Sequence, residues 1–215
     1  MPIIIFAGRK GGCGKTTGAT NFAAWLAHKG EQVALLDTDP ERQAQTFCLL
    51  RAAGEGAAPI HLEQVTGDVR RTIISLAQDY EWVVVDTPGL DSIETKRALA
   101  VATVSVWPFK TSIYDLKTIP LADMLAEEIQ AVRPDAVALA YASETNTGRS
   151  GAADRDAATE ALAGCKALKL MTHYTAGRKA YRASANAGLG VSEWSDAKAS
   201  AEFDALAQEI CSYVR

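Results

Sequence analysis

The amino-acid sequence predicts an α/β fold with a mostly parallel, doubly wound sheet that is covered by helices on both faces. Short apolar runs alternate with segments of helical periodicity over the whole chain, and this alternation is typical of parallel strands joined by crossover helices. The first apolar run, Ile3 to Ala7, leads directly into a glycine-rich loop and a helical segment. The other elements follow in the same strand-then-helix order.

Length and composition indicate one domain over residues 1–215. The chain has 215 residues, 48% of them hydrophobic, which suits a single core, and no linker or internal repeat divides it. It has no basic leader followed by a long apolar run, so we expect a cytoplasmic protein. The four cysteines lie far apart without a C-x-x-C pair, which argues against a cysteine-held metal cluster.

The loop after the first strand has the P-loop pattern G-x-x-x-x-G-K-[ST] from Gly8 to Thr16. Its glycines permit backbone angles that turn successive N–H groups toward a polyphosphate, and the helix that begins near Lys15 adds its positive end. Lys15 is placed to reach the β- and γ-phosphates, and the Thr16 hydroxyl to ligate magnesium. The alternative is a glycine turn before a helix with an ordinary surface lysine.

We therefore predict a single-domain P-loop NTPase. The predicted nucleotide-binding residues are Lys10, Gly11, Gly12, Cys13, Gly14, Lys15, Thr16 and Thr17.

The next elements bring acidic residues to the ends of two predicted strands. A helix over Thr17 to Lys29 leads to the strand Val33 to Leu36, which ends in Asp37-Thr38-Asp39-Pro40. Alone, two acids before a proline indicate a turn or a helix cap. However, ligands bind α/β sheets at the carboxyl ends of the strands. The strand from Trp82 to Val85 likewise ends in Asp86.

Further elements complete the predicted alternation. The strands are Ile60 to Val65, Ala102 to Pro108, Ala136 to Tyr141 and Leu168 to Met171, and the helices are Glu41 to Arg51, Asp68 to Gln78, Tyr114 to about Ala131, and Ser195 to Arg215.

The run Lys10 to Thr17, KGGCGKTT, resembles the deviant Walker A motif of the ParA/MinD group of ATPases. The resemblance implies that Lys10 reaches across a nucleotide sandwich dimer to the partner's phosphates. The D-x-D-P segment resembles the second motif of the group, although Glu41 stands where many members carry glutamine. The segment Trp82 to Gly89 resembles a Walker B element.

These resemblances imply roles for individual residues. Asp39 would orient or activate the attacking water, and Asp37 would hold magnesium-bound water. The implied catalytic residues are Lys10, Lys15 and Asp39, and the implied metal-site residues are Thr16, Asp37 and Asp86.

The last third of the chain is locally basic. The net charge is −4, but no acidic residue occurs between Ala161 and Ser192. The predicted DNA-binding residues are Lys166, Lys169, Arg178, Lys179 and Arg182. The alternatives are solvated helix faces, or Arg178 serving the nucleotide site. Thr172 to Val191 resembles the carboxyl-terminal part of small ParA-type partition ATPases, where basic residues bind DNA non-specifically.

The resemblance to a small ParA-type partition ATPase implies a function. It implies an ATPase with ATP and Mg²⁺ as cofactors, which forms a homodimer on ATP binding and then holds non-specific DNA. The expected location is cytoplasmic, and nucleoid-associated when ATP is bound. A small centromere-binding protein would stimulate slow hydrolysis and drive plasmid or chromosome partition.

The resemblance also carries two negative expectations. The amino-terminal DNA-reading domain of larger partition ATPases is not expected. Acidic residues in the last helix, such as Glu202 and Glu209, argue against membrane binding.

Three alternatives stay open. The chain could position a protein cargo with the same ATP and DNA chemistry. It could be a metabolic P-loop enzyme with a small-molecule acceptor, or a DNA tether that binds nucleotide without hydrolysis. The choice of adenine over guanine depends on the resemblance, because no N-K-x-D motif is found.

Overall fold

A computed structural model describes residues 1–214 and contains one seven-stranded sheet in the order β3-β2-β4-β1-β5-β6-β7. The strands are β1 (Ile3–Phe6), β2 (Val33–Asp37), β3 (His61–Gln64), β4 (Trp82–Asp86), β5 (Val104–Phe109), β6 (Val137–Ala142) and β7 (Leu168–Leu170). Each neighbouring pair is parallel. The predicted α/β class is therefore confirmed, and the described sheet is parallel throughout.

Helices cover both faces of the sheet. They are α1 (Lys15–His28), α2 (Gln43–Ala53), α3 (Val69–Asp79), α4 (Ile93–Leu99), α5 (Ile113–Leu116), α6 (Ile119–Val132), α7 (Gly148–Leu162), α8 (Lys179–Asn186) and α9 (Ala197–Ser212), with a 3₁₀ turn at Val191–Glu193. Side chains alternate along β1, so that Ile5 joins a core with α3, α4, α6 and α7. Ile4 joins a second core with α1, α2, α8 and α9. The predicted double winding is confirmed.

The structure differs from the predicted elements at several places. The single helix predicted from Tyr114 to about Ala131 is two helices, α5 and α6, because Pro120 in the first turn of α6 has no N–H and its ring clashes with the carbonyl four residues earlier. The sequence did not predict α4, α7 and α8. In α7, glycines and polar residues interrupt the apolar pattern that would have indicated a helix.

The carboxyl-terminal helix α9 packs on its own sheet. Phe203, Leu206 and Ile210 are fully or almost fully buried in the second core. Arg215, the last residue of the predicted helix, lies outside the described residues. None of the helices within residues 1–214 combines the length and the apolar character that crossing a membrane requires.

The strand order fixes the position of the glycine-rich loop. From β1 the chain runs to β2 and β3 at one side, returns to β4 beside β1, and then crosses to β5 on the other side of β1. Parallel sheets bind ligands at such a reversal, outside the carboxyl ends of the strands. The loop after β1 therefore lies where the fold offers a ligand crevice.

Arg42 adopts a left-handed conformation (φ 55°) at the amino-terminal end of α2. A side chain other than glycine costs about 1–2 kcal/mol there. We expect Arg42→Gly to raise the free energy of unfolding by about 1 kcal/mol, measured by urea denaturation. The matched control, Glu128→Gly on the exposed side of α6, should lower it by about 1 kcal/mol, as for any helix interior. A loss of stability in both variants would contradict the strain at Arg42.

Candidate nucleotide and magnesium site

The glycine-rich loop has a backbone that favours glycine at two positions. Gly12 and Gly14 have φ values of +73° and +104°, and α1 begins directly after Gly14. A methyl group on Gly18 would lie 2.6 Å from the ring of Phe6, so α1 packs closely on β1. Directly after β6, the Ser143 hydroxyl donates to the Cys13 carbonyl (2.7 Å) and anchors the loop.

Lys15 is a buried cation at the start of α1. Its side chain is only 7% exposed, and within residues 1–214 its Nζ makes one hydrogen bond, to the Lys10 carbonyl (3.2 Å), and no ion pair. Burying a charge without a counter-ion is unfavourable. The lysine therefore has unused donors that suit an anionic ligand.

The two acidic strand ends lie side by side. Asp37 at the end of β2 pairs in register with Asp86 at the end of β4, and both are fully buried. The Asp37 carboxylate accepts from the Asp39 amide (3.0 Å) and from the Gln45 amide in the first turn of α2 (2.9 Å). Within residues 1–214, neither carboxylate oxygen of Asp86 has a hydrogen-bond partner.

Burial raises the pKa of Asp86 to about 7, and the Asp37 charge adds to the rise. The Thr16 hydroxyl, a nearby polar group that does not meet the geometry of a hydrogen bond to Asp86, and the positive charge of Lys15 partly offset it. Burial likewise raises the pKa of Asp37, against the lowering effect of the Gln45 amide. A buried carboxylate without partners is costly, and a cation would stabilise its charged form.

These residues fit a magnesium ion that is bound together with phosphates. Within residues 1–214, no group of three or more His, Cys, Asp or Glu side chains could hold a metal ion by itself. Mg²⁺ in phosphate sites uses one or two carboxylates and completes its shell with phosphate oxygens and water. Asp37, Asp86 and the Thr16 hydroxyl match that requirement.

The side chains of two other predicted site residues, Asp39 and Lys10, contact groups other than Lys15, Asp37 and Asp86. Asp39 is half-buried in the loop between β2 and α2, where its carboxylate accepts from the Glu41 amide (2.9 Å). The Lys10 ammonium lies 3.6 Å from the Asp115 carboxylate and 5.6 Å from the ring centre of Tyr114. The side chain of Lys10 is thus held by α5 of its own chain.

The sequence analysis missed two buried threonines that fix the strand ends. The Thr38 hydroxyl donates to the Asp86 carbonyl (2.8 Å), and the Thr87 hydroxyl donates to the Phe6 carbonyl (2.7 Å). They tie β2 to β4 and β4 to β1 next to the acidic residues. The signal was present in the sequence, because Asp-Thr occurs at both strand ends.

A cavity of about 540 Å³ opens beside Gly14 and Thr17. Besides these two, it is lined by residues that include Tyr141, Ser143, Thr175, Arg178, Tyr181, Arg182 and Phe203. This volume lies within the range of small-molecule sites, about 300–1,000 Å³. The Tyr181 hydroxyl is buried without a hydrogen-bond partner within residues 1–214.

The structure does not bring the five predicted DNA-binding residues onto one surface. Lys166 pairs with Glu127 of α6 (3.9 Å) on one face of the sheet, whereas Lys169 lies over the ring of Tyr213 on the other. Arg178 forms an ion pair with Glu202 of α9 and lines the cavity beside Gly14.

Lys179 and Arg182 lie together on α8, and both also line the cavity beside Gly14. Both are exposed, and neither forms an ion pair with a residue of the described chain. Lys169 likewise forms no ion pair with a residue of the described chain, but its ammonium lies over the Tyr213 ring.

Comparison with known proteins finds a matching family model and several relatives. The family model of the CobQ/CobB/MinD/ParA nucleotide-binding domain matches residues 4–176. The chromosome-partitioning ATPase Soj of Thermus thermophilus is 34% identical over 60% of this chain and 62% of Soj. The chain spans about three-fifths of the length of the first partition relatives that it matches.

Two further similarities cover almost the full chain. The maintenance of carboxysome distribution protein A of Gloeobacter kilaueensis is 29% identical over 97% of this chain and 93% of that protein. The solved structure of apo McdA from Cyanothece superposes with a TM-score of 0.78 at 14% identity, covering 97% of this chain and 99% of McdA. At that identity the structure supports the fold alone. With the family model matching residues 4–176, the chain belongs to the CobQ/CobB/MinD/ParA nucleotide-binding domain family.

Proposed function

We propose that this chain is a magnesium-dependent ATP hydrolase that works as a switch. The observation that carries the proposal is Asp86, whose two buried carboxylate oxygens have no partner within residues 1–214 and which lies opposite Asp37 at the strand ends. Magnesium-dependent release of phosphate from ATP by the purified chain tests it. No phosphate release above the level of the buffer would refute it.

Each residue has a defined part in this proposal. Lys15 and the loop glycines bind the phosphates and stabilise negative charge on them. Thr16, Asp37 and Asp86 hold Mg²⁺, which neutralises phosphate charge when it is bound. Asp39 positions the attacking water. The nucleoside lies in the cavity beside Gly14.

ATP binding promotes a homodimer in this proposal, with Lys10 completing the partner's site. The Lys10 ammonium must then leave Asp115, which it contacts at 3.6 Å in the single chain. Because that ion pair is partly exposed, it is weak enough to exchange for a phosphate contact.

Lys10→Ala should leave ATP affinity within about threefold of wild type and abolish the ATP-dependent dimer. The reason is that the Lys10 side chain contacts α5, whereas the Lys10 carbonyl that accepts from the Lys15 ammonium is backbone and remains in the alanine variant. The substitution therefore costs the chain's own site little; a threefold change is about 0.7 kcal/mol. Light scattering with and without ATP measures the dimer. As a control, Lys117→Ala should dimerise normally; it removes an exposed lysine at the carboxyl end of α5. Equal loss of binding and dimerisation in Lys10→Ala would contradict the role in the partner's site.

The ATP-bound dimer holds DNA non-specifically in this proposal, through Lys179 and Arg182 on α8. Their exposure, and the absence of an ion pair for either within residues 1–214, leave both charges available for phosphates. Phosphate contacts of this kind release counter-ions and need no base sequence.

The double variant Lys179→Ala/Arg182→Ala should weaken DNA binding about tenfold or more and reduce the salt slope by about two. The matched control is Lys166→Ala/Lys169→Ala at β7. Binding to non-specific duplex DNA is measured with ATP, with ADP and without nucleotide, each at several salt concentrations between about 50 and 200 mM. If the control weakens binding more than the α8 variant, the DNA contacts lie at β7.

Positioning of a protein cargo is the second candidate. The relative from Gloeobacter kilaueensis, named for carboxysome distribution, aligns over 97% of this chain, more than Soj does. Both candidates use the same ATP and DNA chemistry and differ in the partner, a small centromere-binding protein or a cargo adaptor. Pull-down of the ATP-bound dimer with each class of partner, followed by ATPase stimulation, decides between them.

A further inference from the structure

A buried ion pair connects two parts of the chain that are far apart in sequence. Arg51, in the last turn of α2, donates from Nη1 and Nη2 to the two carboxylate oxygens of Glu193 (2.8 and 2.7 Å). Arg51 is 4% exposed. Its Nε also donates to the Ala58 carbonyl (2.7 Å), and Nη1 donates to the Gly188 carbonyl (3.1 Å). Such a fork fixes orientation as well as distance.

The chain around Glu193 is shaped to receive Arg51. Gly188 has a φ of +68°, and a methyl group on it would lie 2.2 Å from the backbone nitrogen of Arg51, so only glycine fits there. The Gly190 amide donates to the same carboxylate (2.9 Å). The segment 188–193 therefore packs directly against the end of α2.

The same segment is hydrogen-bonded to the first turns of α1, the helix that follows the phosphate-binding loop. The Val191 amide donates to the Asn21 side chain (2.8 Å), and the Asn21 amide group donates to the Thr17 carbonyl (2.8 Å). Asn21 is 2% exposed. Segment 188–193 thus links the first turns of α1 to the last turn of α2.

The first turn of α2 contacts the carboxylate of Asp37, a proposed magnesium-site residue. The Gln45 amide donates to the Asp37 carboxylate (2.9 Å), and Asp37 lies opposite Asp86. Gln45 and Arg51 are about 9 Å apart along one helix, at 1.5 Å per residue. Because a helix moves as a rigid element over that length, a shift at Arg51 also displaces the Gln45 amide.

We propose that Arg51 and Glu193 are positioning residues for the magnesium site. They hold α2 against α1, so that the Gln45 amide orients the Asp37 carboxylate toward the ion. This inference rests on the proposed function, because it assigns a role within that site. Partners that orient a metal-site carboxylate typically change metal affinity 10–100-fold when they are lost.

The test removes the ion pair while it keeps the core filled. The variant is the double substitution Arg51→Met/Glu193→Met, since replacing both charges of a buried pair with apolar groups is often neutral for stability. The control is Arg155→Met, which removes a guanidinium on α7 that donates to the Tyr174 hydroxyl. The four measurements are hydrogen exchange of the Gln45 amide without nucleotide, ATP binding in EDTA, the Mg²⁺ concentration at half-maximal ATPase activity, and the thermal midpoint of unfolding.

In the double variant, we expect exchange at Gln45 to be faster by about tenfold and the Mg²⁺ midpoint to rise by about tenfold. ATP binding in EDTA should stay close to wild type, and Arg155→Met should change none of the four quantities. The thermal midpoint of the double variant should fall, because the substitutions also leave the Ala58 and Gly188 carbonyls and the Gly190 amide without their partners. If the double variant exchanges the Gln45 amide at the same rate as the wild type, or has the same Mg²⁺ midpoint, the inference is overturned.

Two further outcomes would also count against the inference. A parallel loss of ATP binding in EDTA and of thermal stability would show that the pair serves folding alone. If the wild-type chain itself shows no magnesium-dependent ATPase activity, the proposed function fails first and the inference falls with it. Because that outcome is seen in the wild type before any substitution, the two failures are distinguishable.

Discussion

Lys15→Ala should lose ATP affinity by at least about 100-fold, or about 2.7 kcal/mol. The ammonium is almost fully buried and, within residues 1–214, has only the Lys10 carbonyl as a hydrogen-bond partner. In such an environment a charge–phosphate contact is screened little by water. The loss should therefore persist at high salt. Equilibrium binding of a fluorescent ATP analogue, at low and high salt, measures both affinity and salt dependence.

The control for this variant is a lysine at the other end of the same helix. Lys29 is exposed at the carboxyl end of α1, with its ammonium 5.6 Å from the ring centre of Trp25. Lys29→Ala should bind ATP like the wild type. If Lys15→Ala keeps its ATP affinity, the glycine-rich loop does not bind the nucleotide phosphates, and the proposed function is refuted.

Asp86→Asn should stabilise the nucleotide-free protein at pH 8 by about 2–4 kcal/mol. An unfolded aspartate has a pKa of about 3.9, whereas burial raises the pKa of Asp86 in the folded chain to about 7. The folded state then binds the proton more tightly than the unfolded state. The contribution of Asp86 to stability is therefore present below about pH 4 and is lost as the pH rises toward 7. An amide carries no charge and avoids this loss.

The gain in stability should accompany a loss of function. Asparagine cannot supply the charge that magnesium requires, so ATP hydrolysis should fall to background at every Mg²⁺ concentration. Urea denaturation of both proteins at pH 4, 6 and 8 in EDTA measures the first effect. We expect the difference between the two proteins to grow with pH and to level off above pH 7. A variant less stable than the wild type at pH 8 would contradict the buried, unpartnered carboxylate.

Much of the fold was predictable from local patterns. Strands β1, β2 and β4 are short apolar runs, and the bounds of each were predicted within about two residues. β1 is followed by the glycine-rich loop, and β2 and β4 each end in aspartate. Elements with weak patterns were missed, as α7 shows. The break between α5 and α6 follows from Pro120, whose effect on the preceding turn was overlooked.

The sequence by itself determined the α/β class, the glycine-rich loop and the acidic strand ends, because strands, helices and tight turns depend on residues that are close along the chain. Only the tertiary structure decided which distant residues meet. Strand order puts Asp37 beside Asp86, and packing joins Arg51 to Glu193 across 142 residues. It also gives Lys10 its contact with Asp115 and separates Lys166 from Lys169 on opposite faces. Such pairings follow from the topology of the sheet, which no short stretch of sequence encodes.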